Sequence, residues 1–396
     1  MIRKHQTIFD ATAYMPADEI TLIHSGTHFF DELLSIINAA KQEIHFQTYI
    51  FEDDDTGTAV GEALMNAARR GISVYLVCDG YGSGNLSKTF INNLTATGIF
   101  FHFFSPPMWL GNFKIGRRLH HKVVVVDGAT AIIGGINIAK KYEGTLETLP
   151  WLDFALMVKG DACKIPQRIC KLIIDKRIKA KTTGVQMQCK NSVQGNSLIR
   201  FRQNDFFRRK NQVCISYLQA IREAKHSVSI IASYFLPGLK MRRVLAKAAK
   251  RGVDVKIILS GISDVNAVRT ATRYLYNFLL RNNISVYEYT QTVLHAKVAM
   301  VDSKWVTIGS FNLNHLSTYA SVELNTDVLD ASFSKMFEQY FSDLATNQCQ
   351  KIDAPVFKNT ILLKLKRWLM YYMVRTAINI LTVFPNFAKA FKQKLD

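Results

Sequence analysis

Two segments of the chain carry histidine, lysine, aspartate and asparagine at the same spacing. The first reads HHKVVVVDGATAIIGGIN from His120 to Asn137, and the second reads HAKVAMVDSKWVTIGSFN from His295 to Asn312. Both fit the pattern H-x-K-x4-D-x6-G-[GS]-x-N. A single His-x-Lys near a strand usually signifies nothing, but two copies with identical internal spacing indicate a functional site.

The apolar run in each segment predicts a strand, and the strand period decides which polar groups lie together. Residues i and i+2 of a strand share a face, so His120 and Lys122 should point the same way. The same holds for His295 and Lys297, whereas His121 should point to the opposite face. Each segment is therefore expected to present one imidazole beside one ammonium group.

The end of each segment adds an amide behind small residues. Asn137 and Asn312 follow turns in which main-chain groups can approach an anion closely. The small residues before them are Gly134, Gly135, Gly309 and Ser310. We expect these residues to support the site that the imidazoles and ammonium groups form.

Two such sets of groups, brought together by pseudo-twofold symmetry, suit phosphoryl or phosphatidyl transfer. One neutral imidazole can attack phosphorus while the other, in its protonated form, donates to the leaving oxygen. Lysine and asparagine side chains can hold the non-bridging oxygens and stabilise the charge of the transition state. The sequence has no metal-ligand spacing, so we predict that the reaction needs neither a metal nor an organic cofactor.

Both halves of the chain supply matching elements around these motifs. Short apolar runs rich in β-branched residues predict buried strands at 44–51, 72–78, 122–126, 228–235, 253–259 and 297–301. Helical spacing predicts helices over 57–70 and 239–251, which end at Gly71 and Gly252. Strands that alternate with helices predict an α/β fold with mixed or parallel sheets, present twice in one chain.

The duplication divides the chain into four expected parts. Residues 1–160 and 213–348 should form two pseudo-symmetric lobes. A basic connecting segment at 161–212 joins them, and a tail at 349–396 follows. The connecting segment is either a solvated linker or a surface that faces an anion.

Length and composition narrow the class of protein. The chain has 396 residues, enough for two ordinary domains, and a formal net charge of +19. This charge predicts a polyanionic partner, which could be nucleic acid, an anionic membrane surface or a phosphorylated substrate. The cysteines lack the spacing of metal ligands or of a disulfide framework, so we expect reduced thiols in a cytosolic setting. Neither a signal-peptide core nor an apolar run of about 18 residues stands out, which argues against a secreted or membrane-spanning protein.

With these doubled motifs the sequence resembles the phospholipase D superfamily, over nearly the whole chain. Several stretches are similar to bacterial cardiolipin synthases of the short type, without N-terminal spanning helices: QTYIFEDDDTG, AARRGISVYLVCDGYGS, AAKRGVDVKIILSG and VLHAKVAMVD. The resemblance implies two α/β/α lobes with mixed sheets, an active site at their interface and a covalent phosphohistidine. It favours His120 as nucleophile and His295 as general acid and then base.

The resemblance also assigns roles to four carboxylates. Asp127 and Asp302 would complete the catalytic motifs as structural or orienting acids. Glu323, in SVELN, matches the acid that hydrogen-bonds the second-motif histidine, and Asp153, in PWLDFAL, matches its counterpart in the first half. A carboxylate behind an imidazole fixes its tautomer and raises its basicity. Gly135 stands where serine is commoner, which would remove one hydroxyl near the phosphate.

A turn-rich apolar segment before the first motif favours a lipid substrate. Residues 105–119 place Trp109 beside Arg117 and Arg118. Such a loop could enter lipid or line an entrance for acyl chains. An alternative is that Trp109 is simply packed inside the protein.

Helical spacing over 361–384 predicts an amphipathic helix with a narrow polar stripe. Tyr371 and Arg375 belong to the stripe, and Trp368 is a residue that favours the membrane interface. We predict an interfacial helix that lies on an anionic membrane. Ordinary packing of a final helix against the core is the alternative.

Together these observations predict phosphatidyl transfer, with cardiolipin made from phosphatidylglycerol and a second phospholipid. We expect the anionic phospholipids phosphatidylglycerol and cardiolipin as partners, no nucleic-acid partner, and a peripheral location on the cytoplasmic face of a bacterial inner membrane. The alternatives are phospholipase D hydrolysis to phosphatidic acid and a nucleic-acid phosphodiesterase, which the basic charge would also suit. The two intact motifs argue against a non-catalytic membrane scaffold.

Overall fold

The structure of the chain is a computed structural model, whose described residues are 7–105, 117–175, 197–353 and 360–392, with side chains up to residue 380 in the last segment. The prediction for Trp109 lies outside these residues, as does the middle of the basic connecting segment.

The strands of the first half are β1 (Met15–Ala17), β2 (Glu19–His24), β3 (Glu43–Thr48), β4 (Ser73–Asp79), β5 (Phe100–Phe104), β6 (Arg118–Leu119), β7 (Val123–Val126), β8 (Thr130–Gly134) and β9 (Phe154–Lys159). Those of the second half are β10 (Ser197–Asp205), β11 (Lys210–Asn211), β12 (Ser227–Ala232), β13 (Asp254–Ile262), β14 (Ser285–Val293), β15 (Lys297–Val301), β16 (Trp305–Gly309), β17 (Ser321–Leu329) and β18 (Cys349–Ile352).

The helices are α1 (Thr27–Asn38), α2 (Asp55–Arg69), α3 (Lys88–Ala96), α4 (Lys140–Glu143), α5 (Lys164–Ile174), α6 (Gln212–Glu223), α7 (Leu239–Lys250), α8 (Asn266–Tyr274), α9 (Tyr276–Arg281), α10 (His315–Tyr319), α11 (Ala331–Asn347) and α12 (Ile361–Lys392). Short 3₁₀ helices cover Ala11–Ala13, Asp161–Cys163 and Phe206–Arg208.

The two halves build sheets of the same plan. The first sheet has the order β2-β9-β8-β7-β3-β4-β5, and the second contains the path β17-β16-β15-β12-β13-β14. In each, the strands at one side are parallel (β3-β4-β5 and β12-β13-β14) and the strands that carry the motifs are antiparallel. The predicted α/β fold with two mixed sheets is therefore confirmed.

The inner faces of the two sheets share one buried core. Val123 and Val125 of β7 belong to the same apolar cluster as Val298 and Met300 of β15. Helices α1 to α3 cover the outer face of the first sheet, and α6 to α9 cover that of the second. This packing brings the two motif strands to the interface of the lobes.

The predicted strands and helices around the motifs are confirmed. The predicted helices correspond to α2 and α7, and the predicted strands correspond to β3, β4, β7, β12, β13 and β15. Gly71 and Gly252 follow the two helices with φ of 86° and 88°, a left-handed conformation that glycine adopts without a Cβ clash.

Strands also occur outside the two expected lobes. β10 lies within the basic connecting segment and joins β17, while β18 opens the expected tail and joins β14. Arg200 of β10 is buried and its Nε lies 3.0 Å from a carboxylate oxygen of the buried Asp327. For this arginine, neither a solvated linker nor an anion-facing surface describes the observed environment.

Candidate active site

The backbone of each motif histidine is tied to the opposite half of the chain. His120 follows β6, which runs parallel to β17, and donates its main-chain N–H to the carbonyl of Val322 at 2.9 Å. His295 follows β14 and donates its N–H to the carbonyl of Leu152 at 2.8 Å. The two histidines are thus held where the lobes meet.

The carboxylates behind the imidazoles are exchanged between the lobes. Nδ1 of His120 lies 2.8 Å from Oε2 of Glu323, and Nδ1 of His295 lies 2.6 Å from Oδ2 of Asp153. The prediction that Glu323 serves the second-motif histidine and Asp153 the first is therefore wrong. The reason is that β6 lies along β17 and the residues before β9 lie along the end of β14, so each acid faces the other lobe.

Burial dominates the protonation of both imidazoles. It lowers the pKa of His120, although the charge of Glu323 opposes the shift. Burial, and then the neighbouring Lys297, lower the pKa of His295 to about 4. An imidazole that donates through Nδ1 keeps its lone pair on Nε2, as a nucleophile requires. A bound anion would favour the protonated form, as a general acid requires.

The motif lysines are buried beside the imidazoles. Lys122 donates to the carbonyl oxygen of His120 at 3.0 Å, and its ammonium lies 5.0 Å from the ring centre of Tyr49. Burial, followed by the charge of Lys297, holds the pKa of Lys122 well below its ordinary value. Two ammonium groups enclosed together favour an anionic ligand, which would offset their repulsion.

Lys297 is best described as the partner of a carboxylate. Its Nζ lies 3.5 Å from Oδ2 of Asp153 and 2.9 Å from Nδ1 of His295. Because that Nδ1 has no free lone pair when it donates to Asp153, the ammonium cannot also donate to it. The ion pair orients Lys297 beside the imidazole, and burial lowers its pKa.

The motif asparagines use their amides to fix neighbouring groups. Asn137 accepts from the N–H of Ile50 at 3.1 Å and donates to the Tyr142 hydroxyl at 2.8 Å. Asn312 accepts from the hydroxyl of Ser233 at 2.9 Å. These contacts fix the orientations of the two amides, so that each NH₂ group, with its two donors, has a defined direction.

The small residues of the motifs leave room for neighbours. A Cβ on Gly134 or on Gly309 would lie 2.4 Å from the carbonyl oxygen of the adjacent strand. A Cβ on Gly135 would lie 2.3 Å from a carboxylate oxygen of Asp153, whereas Ser310 donates its hydroxyl to Glu323 at 2.5 Å. Gly135 thus makes space for the acid, and in the second lobe the serine hydroxyl binds the acid.

Asp127 and Asp302 lie away from the imidazoles. Asp127 accepts three main-chain N–H bonds of 2.8 to 2.9 Å from residues 41–43, and Asp302 accepts three of 2.7 to 2.9 Å from residues 225–227. Seven residues of extended chain separate each from its histidine, which is roughly 20 Å. The geometry therefore supports the structural role among the two roles expected for these acids, and it does not place them beside the imidazoles.

Aromatic side chains that the sequence reasoning missed surround the histidines. The ring centre of Tyr49 lies 5.0 Å from that of His120, and the ring centres of Tyr142 and Tyr234 lie 5.3 and 6.2 Å from that of His295. Two of them had a signal in the sequence, because Tyr49 and Tyr234 come shortly after β3 and β12, in the similar stretches QTYIF and ASYFL.

Arg117 and Arg118 lie at the end of the loop that precedes the first motif. Arg117 forms an ion pair with Asp205, whose carboxylate oxygen lies 2.5 Å away. Arg118 lies 3.9 Å from the buried Asp79, and its guanidinium lies 5.2 Å from the ring centre of Tyr81. Their predicted membrane contact remains a prediction.

The final helix, α12, packs its polar stripe against the protein, although this stripe was expected to lie away from it. Tyr371 is 4 % exposed and its ring centre lies 4.7 Å from that of Tyr274, so its prediction as a membrane-contacting residue is wrong. Arg375 donates to the Tyr371 hydroxyl at 3.1 Å, and Trp368 is 46 % exposed. The stripe packs on the second lobe through the Tyr371 ring, and the Tyr371 hydroxyl is bound by Arg375 of the same helix.

The described residues contain neither a candidate metal site nor a helix that could span a membrane. No cluster of three or more histidine, cysteine, aspartate or glutamate side chains there could hold a metal ion. In the same residues, no helix combines the length and the apolar character needed to cross a bilayer.

The fold resembles that of known enzymes. The crystal structure of phosphatidylserine synthase from Haemophilus influenzae matches with a TM-score of 0.74 and 13 % identity, over 93 % of this chain and 96 % of that one. Polyphosphate kinase from Porphyromonas gingivalis matches with a TM-score of 0.60 and 14 % identity, over 92 % of this chain and 54 % of that one. At these identities the likeness shows the fold alone.

Sequence comparison is more specific. Residues 33–151 and 217–345 match the family model described as cardiolipin synthase, PLD-like domain. Cardiolipin synthase B of Salmonella typhi is 32 % identical over 85 % of this chain and 82 % of that protein. Cardiolipin synthase B of Escherichia coli is 31 % identical, over 86 % and 84 %. This chain belongs to the cardiolipin synthase family of phospholipase D-like proteins.

Proposed function

We propose that this protein transfers a phosphatidyl group between phospholipids and thereby makes cardiolipin from phosphatidylglycerol and a second phospholipid. The observation that carries the proposal is the pair of buried imidazoles, each held through Nδ1 by a carboxylate of the other lobe, beside two buried ammonium groups. Membership in the cardiolipin synthase family selects the lipid among the phosphodiesters that such a site could cleave.

In the first half-reaction His120 is the nucleophile. Its Nε2 forms a bond to phosphorus while the bond from phosphorus to the glycerol oxygen breaks. His295, protonated when the anionic substrate occupies the site, gives its proton to that oxygen, and glycerol leaves. Lys122 and Lys297 stabilise the charge that builds up on the non-bridging oxygens.

In the second half-reaction the roles of the imidazoles reverse. A hydroxyl of the second lipid headgroup attacks phosphorus, and its proton passes to the now neutral His295. The bond from phosphorus to His120 breaks and leaves its electron pair on Nε2. Attack by water at this stage would give phosphatidic acid instead of cardiolipin.

Mass-resolved lipid analysis tests the proposal. The wild-type protein is incubated with phosphatidylglycerol vesicles, with and without phosphatidylethanolamine, beside His120→Ala and a control, His226→Ala, which removes an exposed imidazole. We expect cardiolipin with the wild type and the control and none with His120→Ala. Phosphatidic acid alone would make the protein a hydrolase, and no lipid product would overturn the proposal.

We further propose that α12 binds this protein peripherally to an anionic membrane, on the cytoplasmic face of a bacterial inner membrane. Its stripe with Arg367 and Tyr371 is buried against the second lobe, while large apolar side chains face outward: Ile361, Leu362, Leu365, Trp368, Leu369, Tyr372, Met373 and Ile380. An apolar face of this size is stabilised when it enters the interface of a bilayer. The net charge of +19 favours anionic lipid.

Vesicle sedimentation with matched substitutions tests this location. Leu365→Glu adds a charge to the outward face of α12, where the leucine is 57 % exposed. Met336→Glu adds the same charge to α11, at a side chain that is 46 % exposed. We expect binding to phosphatidylglycerol vesicles to fall about tenfold for Leu365→Glu only, since one buried leucine contributes roughly 1.5–3 kcal/mol. Equal binding by both variants would contradict the proposal.

A further inference from the structure

The two sides of the active site differ in charge where the pseudo-symmetry would make them alike. Beside His120, burial raises the pKa of the Tyr49 hydroxyl, the charge of the buried Asp79 raises it further, and the charge of Arg118 lowers it. Beside His295, Tyr234 donates its hydroxyl to Asp264 at 2.5 Å. One side of the site therefore presents a cation and the other a carboxylate.

The carboxylate on the His120 side is used by the fold. Asp79 is 0 % exposed and accepts main-chain N–H bonds from Tyr81 at 2.9 Å and from Leu119 at 2.8 Å. The corresponding end of β13 carries Ser260, whose hydroxyl donates to the carbonyl of Leu294 at 3.1 Å. In the second lobe a serine therefore occupies the position that corresponds to Asp79.

Asp264 lies further along the loop after β13 and is exposed. One carboxylate oxygen accepts from Tyr234, and the other has a 3.5 Å approach from the hydroxyl of Ser263, which is too long for a strong bond. Asp264 is also among the charges that raise the pKa of Lys297, against the lowering by burial. An acceptor oxygen with unused capacity therefore lies at the His295 side of the site.

We propose that Tyr234 and Asp264 form a subsite for the polyol group that leaves and attacks beside His295, and that this subsite makes the enzyme prefer a glycerol headgroup over a simple alcohol. A carboxylate repels the phosphate but accepts hydrogen bonds from hydroxyl groups. His295 exchanges its proton with the oxygen of the leaving or attacking alcohol, so the rest of that alcohol extends toward this side. The inference rests on the proposed phosphatidyl transfer.

The subsite contacts both the hydroxyl groups and the carbon atoms of the glycerol unit. Asp264 accepts from one hydroxyl of the glycerol unit, while the ring of Tyr234, whose centre lies 6.2 Å from that of His295, forms a wall against its carbon atoms. A second hydroxyl of glycerol is what distinguishes it from a simple alcohol, and a site built for a hydroxyl discriminates against a ligand that lacks one.

An exchange assay with two soluble acceptors tests the subsite. Phosphatidylglycerol vesicles are incubated with deuterated glycerol or with 1-propanol, and labelled phosphatidylglycerol and phosphatidylpropanol are measured by mass. The variants are Asp264→Asn and Tyr234→Phe, and the control is Asp31→Asn, which changes an exposed acid of α1. We expect glycerol exchange to fall about tenfold or more in both variants, as loss of a hydrogen bond to a charged group predicts. Transfer to 1-propanol should stay within about twofold.

The outcomes separate the subsite from the proposed function. If the wild type transfers to neither acceptor, the proposed function fails and the subsite with it. If the wild type transfers but the variants keep its ratio of glycerol to 1-propanol products, only the subsite is overturned. An equal loss with both acceptors would overturn it too, because that result indicates a general effect on Lys297 or on folding.

Discussion

Gly135 and Ser310 occupy corresponding places in the two motifs, and each determines how a carboxylate meets an imidazole. Gly135 leaves the space that Asp153 fills on its way to His295, and Ser310 donates to the Glu323 that holds His120. The shorter acid needs an empty place beside it, whereas the longer acid has a hydroxyl to bind.

Replacing each of these residues by its counterpart should have unequal effects on the rate of phosphatidyl transfer. In Gly135→Ser the new side chain would displace Asp153, and phosphatidyl transfer should fall on the order of 100-fold or more, since misplacement by about 1 Å has that effect. In Ser310→Gly one hydrogen bond to a carboxylate is lost, and the fall should be about tenfold. Initial rates of cardiolipin formation measure both, with thermal unfolding to verify that each variant folds. Similar losses would show that the space beside Asp153 has no special role.

At the residue scale the sequence predicted the two histidines and two lysines, because one strand period relates each pair. It could not predict which acid serves which histidine. That pairing depends on the contact of β6 with β17, which joins residues far apart in the chain. The sequence left open whether Asp127 and Asp302 are structural or orienting acids for a similar reason, since their partners are main-chain groups at the start of another strand.

At the scale of elements, Asp127 and Asp302 tie the turn after each motif strand to the start of β3 or β12. Both have positive φ, 54° and 53°, so the turn needs a residue that tolerates the left-handed region. Each carboxylate accepts hydrogen bonds from three main-chain N–H groups that would otherwise lack a partner.

Loss of one of these carboxylates should affect stability more than catalysis. Asp302→Ala removes the acceptor for three N–H groups and places alanine at positive φ, so the free energy of unfolding should fall by about 2–4 kcal/mol. Asp302→Asn keeps one acceptor oxygen and tolerates positive φ, so the fall should be about half as large. Urea unfolding measures the stabilities. A rate of phosphatidyl transfer that fell about 100-fold in folded Asp302→Ala would contradict this structural role.

Strand β10, which the sequence did not predict, carries positive charges that are neutralised by an acid far away in the sequence. Arg200 and Arg202 made β10 look like part of a basic linker, but both arginines lie near Asp327 of β17, at 3.0 and 3.8 Å. Local sequence shows the charge and cannot show its partner. The apolar strands near the motifs had no such ambiguity, and their prediction was confirmed.

At the scale of the whole molecule, burial of histidines should make stability depend on pH. Burial lowers the pKa of several histidines, to about 4 for His295 and about 3 for His121, while an unfolded chain has ordinary values near 6.5. Between pH 6.5 and 4 the unfolded chain therefore binds protons that the folded chain does not. The contribution of these histidines to the free energy of unfolding should fall as the pH is lowered through this window and should be almost constant above it.

Unfolding in urea at pH 7 and at pH 5 tests this dependence. His295 alone should contribute roughly 2 kcal/mol to the difference, from about 1.5 pH units below its unfolded pKa. His295→Gln should therefore lose less stability on acidification than the wild type by that amount. His226→Gln, which removes an exposed imidazole, should behave like the wild type. If His295→Gln loses as much stability as the wild type, burial does not lower the pKa of His295.

The exchange of carboxylates between the lobes limits how the two halves can diverge. A duplicated chain in which each half kept its own acid and imidazole could lose one half's function and retain the other's. Here Glu323 and Asp153 each serve the imidazole of the opposite half, so a mutation that shifts one lobe disturbs both imidazoles together. The two halves must therefore evolve together. Deletion of either half would leave a smaller protein without a complete histidine–carboxylate pair.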